Sequence, residues 1–214
     1  MATFVLVHGA WHGGWCWRKL TPLLAAAGHQ VLTPTLTGLG ERVHLAGPEV
    51  GLGTHVQDVV GVLEFEDVRE AILVGHSYGG MVIAGAAGRA AERLSQLVYL
   101  DAYVPEHGQA MTDLVPAERL EGMRRRVRDE GQGWLLPSFA PEPWEVTVRD
   151  RYLVSDESEV RWVASRLVGQ PFKTMTDPVH DPEGRAAALP RAYIRCPRYP
   201  NPAFDRYAAE ASAA

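Results

Sequence analysis

A serine set between glycines at fixed spacing is the strongest chemical signal in this chain. Ser77 stands in the segment GHSYG at 75–79, which follows an apolar run at 71–74 and opens a stretch of small residues. In a G-x-S-x-G segment, the serine lies on a tight, strained turn between a strand and a helix, where neighbouring side chains would clash. The pattern predicts a nucleophile at Ser77; the alternative is a glycine-rich turn with an incidental serine.

A nucleophilic serine needs hydrogen-bond donors for the oxyanion that its attack creates. The backbone N–H of Tyr78, at the start of the following helix, can point at that charge. A second donor is expected from the glycine-rich loop HGAWHGGWCW at 8–17, where the N–H of Ala10 is the best candidate. Trp11 adjoins this donor and is expected to line the substrate pocket. Trp15, further along the loop, is assigned to aromatic packing.

Strands alternate with helices along most of the chain. Strands are expected at 3–7, 30–36, 71–75, 97–102 and 191–196, and helices at 19–28, from Thr54 onward, at 81–94 and at 203–214. Thr54 is the expected N-cap of its helix, and Pro34 places the second strand near an edge or ends it early. The alternation predicts an α/β protein with a mainly parallel sheet and helices on both faces.

The pattern changes between about 105 and 188. This segment contains prolines, tryptophans and charged amphipathic pieces, without a convincing buried strand. We interpret it as a helical cap inserted into a single domain that spans 1–214. Trp134 and Phe139 within it are candidate pocket residues, although packing in the core explains them equally well.

Composition and charge argue against several classes of protein. The 214 residues, 46% of them hydrophobic, are enough for one domain with a substantial core. The net charge of −5 argues against a polyanion-binding protein, so no nucleic-acid partner is expected. The chain has no signal-peptide pattern and no apolar run of the ~18 residues that span a membrane, so we expect a cytoplasmic protein without a membrane partner. The two cysteines suggest neither a disulfide framework nor a metal site.

Four segments carry a resemblance to a known family: FVLVHGAWHGGWCW at 4–17, LTGLGER at 36–42, ILVGHSYGGMV at 72–82 and PRAYIRC at 190–196. Together they resemble the α/β-hydrolase superfamily, in the branch of plant methyl-ester esterases, hydroxynitrile lyases and their bacterial esterase-like relatives. The similarity spans nearly the whole chain. It implies an α/β-hydrolase fold in which Ser77 is the nucleophile and the amides of Ala10 and Tyr78 hold the oxyanion.

The same resemblance separates the esterases from the lyases of this branch. The lyases typically carry threonine at the position of Gly9 and an acidic residue at that of His76. The segments H-G-A and G-H-S of this chain match the esterase pattern instead. An esterase is therefore favoured over a cyanohydrin lyase.

A serine hydroxyl also needs a general base, usually a histidine held by a carboxylate. In this family the acid commonly follows the next-to-last strand, but the segment at 197–207 begins without a carboxylate, and Asp205 falls within the next helix. Superfamily members with the acid one strand earlier point to Asp101, at the carboxyl end of the strand after the nucleophile strand. Asp101 is the expected acid; the alternative is a capping or loop-bracing aspartate.

No histidine stands where the family carries its base. His44, His107 and His180 lie on loops that can face the site, but each is better explained as an exposed polar residue. We therefore expect the last strand, the catalytic histidine and the last helix to be missing from these 214 residues. Three explanations stay open: a truncated form of an active protein, a natural short form that binds a ligand without turnover, and a base recruited from the cap.

These observations predict a serine hydrolase that acts on a small apolar or aromatic carboxylic ester through an acyl-enzyme. Ser77 would attack the ester, and Asp101 would orient the base. The alternatives are a catalytically impaired ligand-binding member of the fold and a hydroxynitrile-lyase-like enzyme. The chemistry needs no metal or organic cofactor. A small-molecule ester is the expected partner, with a homodimer as one candidate assembly.

Overall fold

Strands and helices alternate as the sequence predicts. The computed structural model describes residues 1–138 and 141–213. Strands β1 to β7 comprise Thr3–Val7, Gln30–Leu32, Ala71–His76, Leu94–Leu100, Leu135–Leu136, Gln170–Pro171 and Arg191–Ile194. Helices α1 to α9 comprise Thr21–Ala26, Leu52–Phe65, Gly79–Ala90, Ala117–Asp129, Trp144–Val146, Glu157–Ala164, Lys173–Thr176, Arg185–Ala188 and Pro202–Ala213. Within the described ranges, no helix is long and apolar enough to cross a membrane.

A five-stranded parallel sheet forms the centre of the fold. Its strands follow the order β2-β1-β3-β4-β7, and each pairs in parallel with its neighbours. The register places Val5 of β1 opposite Leu73 of β3, and Leu73 opposite Leu97 of β4. The α/β class with a mainly parallel sheet is confirmed.

Both faces of the sheet are covered, because successive side chains of a strand point to opposite faces. Val5 and Val7 of β1 belong to the main core cluster, together with the apolar face of α2 and the small residues of α3. Leu6, between them, belongs to a second cluster with Val74 and Val98. Burial on both sides explains why these strands are continuous apolar runs.

The order of the strands creates a crevice at the carboxyl ends of β1 and β3. From β1 the chain moves outward to β2 and then returns to the other side of β1 to form β3. At such a switch point the loops that leave the two central strands diverge, and ligands bind between them. The loop that begins at His8 and the turn that contains Ser77 leave β1 and β3 at this crevice.

Residues 101–190 connect β4 to β7. Their regular elements include helices α4 to α8, a 3-10 turn at Met111–Asp113, a π-helical turn at Thr147–Arg151 that continues α5, and the short antiparallel pair β5–β6. The pair joins Leu135 to Pro171 and Leu136 to Gln170. The chain then returns to the central sheet beside β4.

Several element boundaries differ from the sequence-based expectation. Strand β2 ends at Leu32, before Pro34, and lies at the sheet edge, as expected. The prediction that Thr54 caps α2 is wrong, because the helix begins at Leu52 with Gly51 as its N-cap. The amide of Thr54 already donates to the Gly51 carbonyl, so Thr54 lies in the first helical turn.

Helix α3 begins so close to β1 that only glycine fits at its first position. A Cβ at Gly79 would lie 2.8 Å from the Val7 carbonyl oxygen and 2.9 Å from that of His8. Gly61, on α2, faces open space and has no atom within 4 Å of its Cβ position. The two glycines therefore form a matched pair for a test of this packing.

We expect Gly79→Ala to lower the free energy of unfolding by about 1–3 kcal/mol, because backbone atoms of β1 must move. Gly61→Ala should raise it by about 0.5–1 kcal/mol through helix propensity. Urea denaturation of both variants checks this pair of outcomes. Equal effects at the two positions would contradict the close approach of α3 to β1.

Candidate active site

Ser77 lies on the turn between β3 and α3, which the end of β4 holds in place. Its φ is +52°, in the left-handed region that a residue with a Cβ adopts rarely and at a cost. Its N–H donates to the Leu100 carbonyl at 3.3 Å, and its carbonyl accepts from Tyr103 at 3.2 Å and Gly80 at 3.1 Å. These bonds fix the strained backbone and hold the side chain at the top of the sheet.

The flanking glycines of the motif are explained by contacts with backbone atoms. A Cβ at Gly75 would lie 2.6 Å from the Gly79 carbonyl oxygen, and Gly79 itself packs against β1 as described above. A Cβ at Gly9 would lie 3.2 Å from the Cβ of Ser77 and 2.9 Å from Nδ1 of His76. The loop after β1 therefore lies directly against the serine turn.

Two backbone amides near Ser77 have no acceptor within residues 1–138 and 141–213. They are the amides of Ala10, in the loop after β1, and of Tyr78, the N-cap of α3. Both residues are buried. Buried backbone N–H groups are nearly always paired, so two unpaired ones beside the same serine are suited to receive an anionic oxygen from a ligand.

A cavity of about 450 Å³ opens above Ser77. Its floor contains Gly9, Ala10, Ser77 and Asp101, at the carboxyl ends of the strands. Aromatic side chains dominate its walls: Trp11, His12, Trp15, His76, Tyr103, Tyr152, Trp162, Tyr199 and Phe204. Such a wall suits a flat or apolar ligand part, with the polar floor directed at the reacting group.

Ion pairs at the rim of the cavity connect the segment that follows β1 to helix α6. Arg18 and Lys19 form ion pairs with Glu159 of α6 at 2.8 and 3.1 Å. The guanidinium carbon of Arg18 also lies 3.5 Å from the ring centroid of Trp162. These contacts hold the wall formed by α6 over the floor of the cavity.

The aromatic residues considered in the sequence analysis differ in whether they line the cavity. Trp11 lines the cavity, and its indole N–H donates to the Leu136 carbonyl at 3.2 Å. Trp15, assigned to packing, lines the cavity as well and stacks on His12 at 5.4 Å between ring centroids. Trp134 is not among the residues that line the cavity. Phe139 lies outside the described residues.

Asp101 lines the same cavity as Ser77, but its partner is an arginine. The side chain is 7% exposed, and its Oδ1 accepts from Nη1 of Arg195 at 2.6 Å and from the Cys196 amide at 2.9 Å. Its Oδ2 accepts from no residue in the described ranges. One oxygen is thus anchored to the end of β7, and the other is left to accept a further donor.

Among the described residues, the histidines that share the cavity with Ser77 are His12 and His76. The three histidines considered in the sequence, His44, His107 and His180, do not line it. The His107 ring accepts from the Asp181 amide and contacts His180 instead. In the same ranges, no group of three or more His, Cys, Asp or Glu side chains is arranged to hold a metal ion.

The sequence matches a known family along almost its full length. A model of the alpha/beta hydrolase family matches residues 4–214. The chain belongs to the alpha/beta hydrolase family. The fold and the family that the motifs predicted are therefore confirmed.

Sequence relatives narrow the kind of hydrolase. The chain is 46% identical over 202 residues to the carbendazim hydrolyzing esterase of a Nocardioides species, which covers 91% of this chain and 79% of that protein. It is 39% identical over 141 residues to salicylic acid-binding protein 2 of Nicotiana tabacum, covering 64% of this chain and about half, 51%, of that relative. Methylesterase 1 of Arabidopsis thaliana is 35% identical over 140 residues, again over 51% of its length. The chain is a carboxylesterase-like hydrolase.

A solved structure shares the fold. The extracellular alpha/beta-hydrolase from a Paenibacillus species superposes with a TM-score of 0.80 over 97% of this chain and 86% of that chain. The two sequences are 23% identical, so this similarity concerns the fold alone.

Burial keeps four histidines of this hydrolase uncharged at neutral pH. His8 and His55 are fully buried, and His12 and His76 are half-buried. Loss of hydration lowers the pKa of His8 to about 3 and that of His12, His55 and His76 to about 4. Nδ1 of His12 lies 2.6 Å from the Ala10 carbonyl oxygen, so Nδ1 carries the proton and Nε2 the lone pair.

Stability should therefore fall in weak acid. In the unfolded chain these histidines bind protons below about pH 6.5, whereas the folded chain does not bind them until near pH 4. The free energy of unfolding is expected to drop by at least about 2 kcal/mol between pH 7.5 and 5.0, with most of the loss below pH 6.5. Urea midpoints across this range measure it. Equal stability at the two pH values would contradict the buried neutral histidines.

Proposed function

We propose that this hydrolase cleaves a carboxylic ester through an acyl-enzyme on Ser77. The observation that carries the proposal is the meeting of a strained serine turn, at the floor of a cavity, with two unpaired amides: that of Ala10 in the same floor and that of Tyr78 next to Ser77 in the chain. That combination supplies a nucleophile and a preorganised site for negative charge, which are the two requirements of acyl transfer.

In the proposed reaction, Oγ of Ser77 attacks the carbonyl carbon of the ester while its proton passes to a base. The carbonyl oxygen becomes an oxyanion that accepts from the amides of Ala10 and Tyr78. The C–O bond to the alcohol then breaks, and the alcohol leaves with the proton. Water adds to the acyl-serine by the same route, releasing the acid and restoring Ser77.

Asp101 is proposed as the carboxylate that orients the base. Its anchored Oδ1 fixes the plane of the carboxylate, and Oδ2 is left to accept an imidazole N–H. A buried carboxylate in this position also stabilises the imidazolium that forms on proton transfer. The pairing with Arg195 supports the competing role as a brace between β4 and β7, so the two roles need a direct test.

The substrate is proposed to be a small ester with an apolar or aromatic part. The aromatic walls and the volume of about 450 Å³ support this choice. The relatives named as a carbendazim hydrolyzing esterase and as a methylesterase also support a small ester.

Two alternatives have specific support. The Asp101–Arg195 pair favours a ligand-binding member without turnover, because the carboxylate is already engaged. A hydroxynitrile-lyase-like reaction is less well supported. The lyases of this branch typically carry threonine at position 9, where a side chain would reach Ser77, whereas this chain has Gly9. The relative named alpha-hydroxynitrile lyase, from Arabidopsis thaliana, matches over only 48% of this chain.

Labelling by a fluorophosphonate tests the nucleophile. We expect one equivalent of label on the chain, its complete loss in Ser77→Ala, and retention in Ser95→Ala, which removes an exposed hydroxyl. Mass spectrometry of the intact protein measures the stoichiometry. Label on Ser77→Ala, or none on a folded parent chain, would refute the proposal.

The same assay locates the base. His12→Gln and His76→Gln alter the two histidines of the cavity, and His44→Gln is the matched exposed control. A loss of labelling rate of about 10²-fold or more in one cavity variant would assign the proton transfer to that histidine. Unchanged rates in both would assign it to another group.

The role of Asp101 can be separated from that of a brace with amide variants. Asp101→Asn keeps an oxygen for the Cys196 amide but loses the charge, and Asp205→Asn is the matched control, because Asp205 binds the same Arg195 from the surface. We expect the labelling rate to fall by about 10²-fold or more in Asp101→Asn and to stay within about twofold in Asp205→Asn. An equal rate in both folded variants would leave only the bracing role.

A further inference from the structure

The two amides beside Ser77 come from different parts of the chain. Ala10 follows β1 and Tyr78 follows β3, so the point between them depends on how two separate loops are held. Preorganised donors act on an oxyanion only if their directions are fixed before the reaction. The groups that hold these two loops are therefore of functional interest.

Gln170, in the segment that follows α6, binds the loop after β1. Its side chain is fully buried, and its Oε1 accepts from the Trp11 amide at 3.0 Å. The Val168 amide donates to the Trp11 carbonyl at 3.1 Å, so this segment binds both backbone groups of Trp11. Trp11 itself has a φ of +65°, a strained conformation that needs such contacts to persist.

The same glutamine is itself held by Thr174. Its Nε2 donates to Oγ1 of Thr174 at 2.8 Å, and the Thr174 hydroxyl donates to the Pro171 carbonyl at 2.7 Å. Thr174 is 1% exposed. These bonds fix the side-chain amide of Gln170, so that its Oε1 stays directed at the Trp11 amide.

His55 of α2 binds the side chain of Tyr78. Its Nε2 lies 2.9 Å from the Thr37 carbonyl, which only accepts, so Nε2 carries the proton. Nδ1 of the neutral ring therefore accepts from the Tyr78 hydroxyl at 2.9 Å. Thr37 is held in turn by Asp58, which accepts from its amide and its hydroxyl.

We propose that Gln170 and His55 are positioning residues of the oxyanion hole, one for each of its two amides. Gln170 fixes the backbone next to the Ala10 amide, and His55 fixes Tyr78. The segment after α6 therefore helps to build the oxyanion hole. This inference rests on the proposed role of the two amides in the reaction of Ser77.

The first test measures the rate of Ser77 phosphonylation, separated into the maximal rate and the half-saturating probe concentration. Gln170→Met keeps a side chain of similar length but removes the hydrogen bonds to the Trp11 amide and to Thr174, and Tyr78→Phe removes the hydroxyl that donates to His55. Gln57→Met, on the exposed face of α2, is the matched control. We expect each of the first two variants to lower the maximal rate about 10-fold or more, with half-saturation within about threefold, and the control to match the parent.

A double variant distinguishes action on one oxyanion site from two unrelated effects. The combined Gln170→Met and Tyr78→Phe change should cost less than the product of the two single losses, because the two amides bind the same oxygen. Full multiplication of the effects, an unchanged maximal rate, or a change confined to half-saturation in folded variants would overturn the proposal.

A second readout needs no activity and separates this inference from the proposed function. Amide hydrogen exchange and ¹⁵N shifts of Ala10 and Tyr78 report directly on the two loops. The signal of Ala10 should change in Gln170→Met and that of Tyr78 in His55→Phe, and both should stay unchanged in Gln57→Met. If the parent takes no label while these amides respond, the nucleophile assignment fails and the positioning role stands; amides that do not respond refute the positioning role.

Should Gln170→Met fail to fold, Thr174→Val provides the replacement. It keeps the shape of the side chain while removing the hydroxyl that accepts from Gln170. It is expected to shift the Ala10 amide and lower the maximal rate about 10-fold. A folded Thr174→Val with parental values in both measurements would also overturn the proposal.

Discussion

The close approach of helix α3 to strand β1 is the constraint on which the rest of the site depends. Gly79 packs against the backbone of β1 so tightly that no side chain fits there. This contact brings the serine turn against the loop after β1, and only then can amides from two loops face one point. The positive φ of Ser77 is the local cost, and bonds to Leu100 and Tyr103 stabilise it.

The buried histidines around this point are neutral at pH 7. His8 illustrates the principle: its Nε2 accepts from the Leu36 amide, so its Nδ1 donates to the Gly9 carbonyl. The Gly9 carbonyl belongs to the same peptide group as the Ala10 amide. A neutral ring can fix such a peptide without placing a charge beside Ser77, and burial holds it in that form.

The long segment between β4 and β7 has two functions in this arrangement. Helix α6 supplies part of the aromatic wall and is tied to the core by the ion pairs of Glu159. The residues after α6 reach the loop after β1, where Gln170 accepts from the Trp11 amide. A change in this segment is therefore expected to affect the position of the Ala10 amide as well as the shape of the pocket.

The sequence by itself determined the α/β class, the serine turn and the loop that carries Ala10. These features depend on short-range rules: apolar runs of strand length, glycines where backbone atoms meet, and a fixed spacing around Ser77. The same rules placed the ends of the strands at one edge, so the nearness of Asp101 to the cavity was predictable as well.

Only the tertiary structure decided which side chains meet there. His12 and His76 line the cavity instead of His44, His107 and His180, and Trp15 lines it whereas Trp134 does not. The partnership of Asp101 with Arg195 and that of Trp11 with Gln170 join residues 94 and 159 positions apart. No local periodicity encodes such contacts, because they arise when an irregular segment packs against a finished sheet.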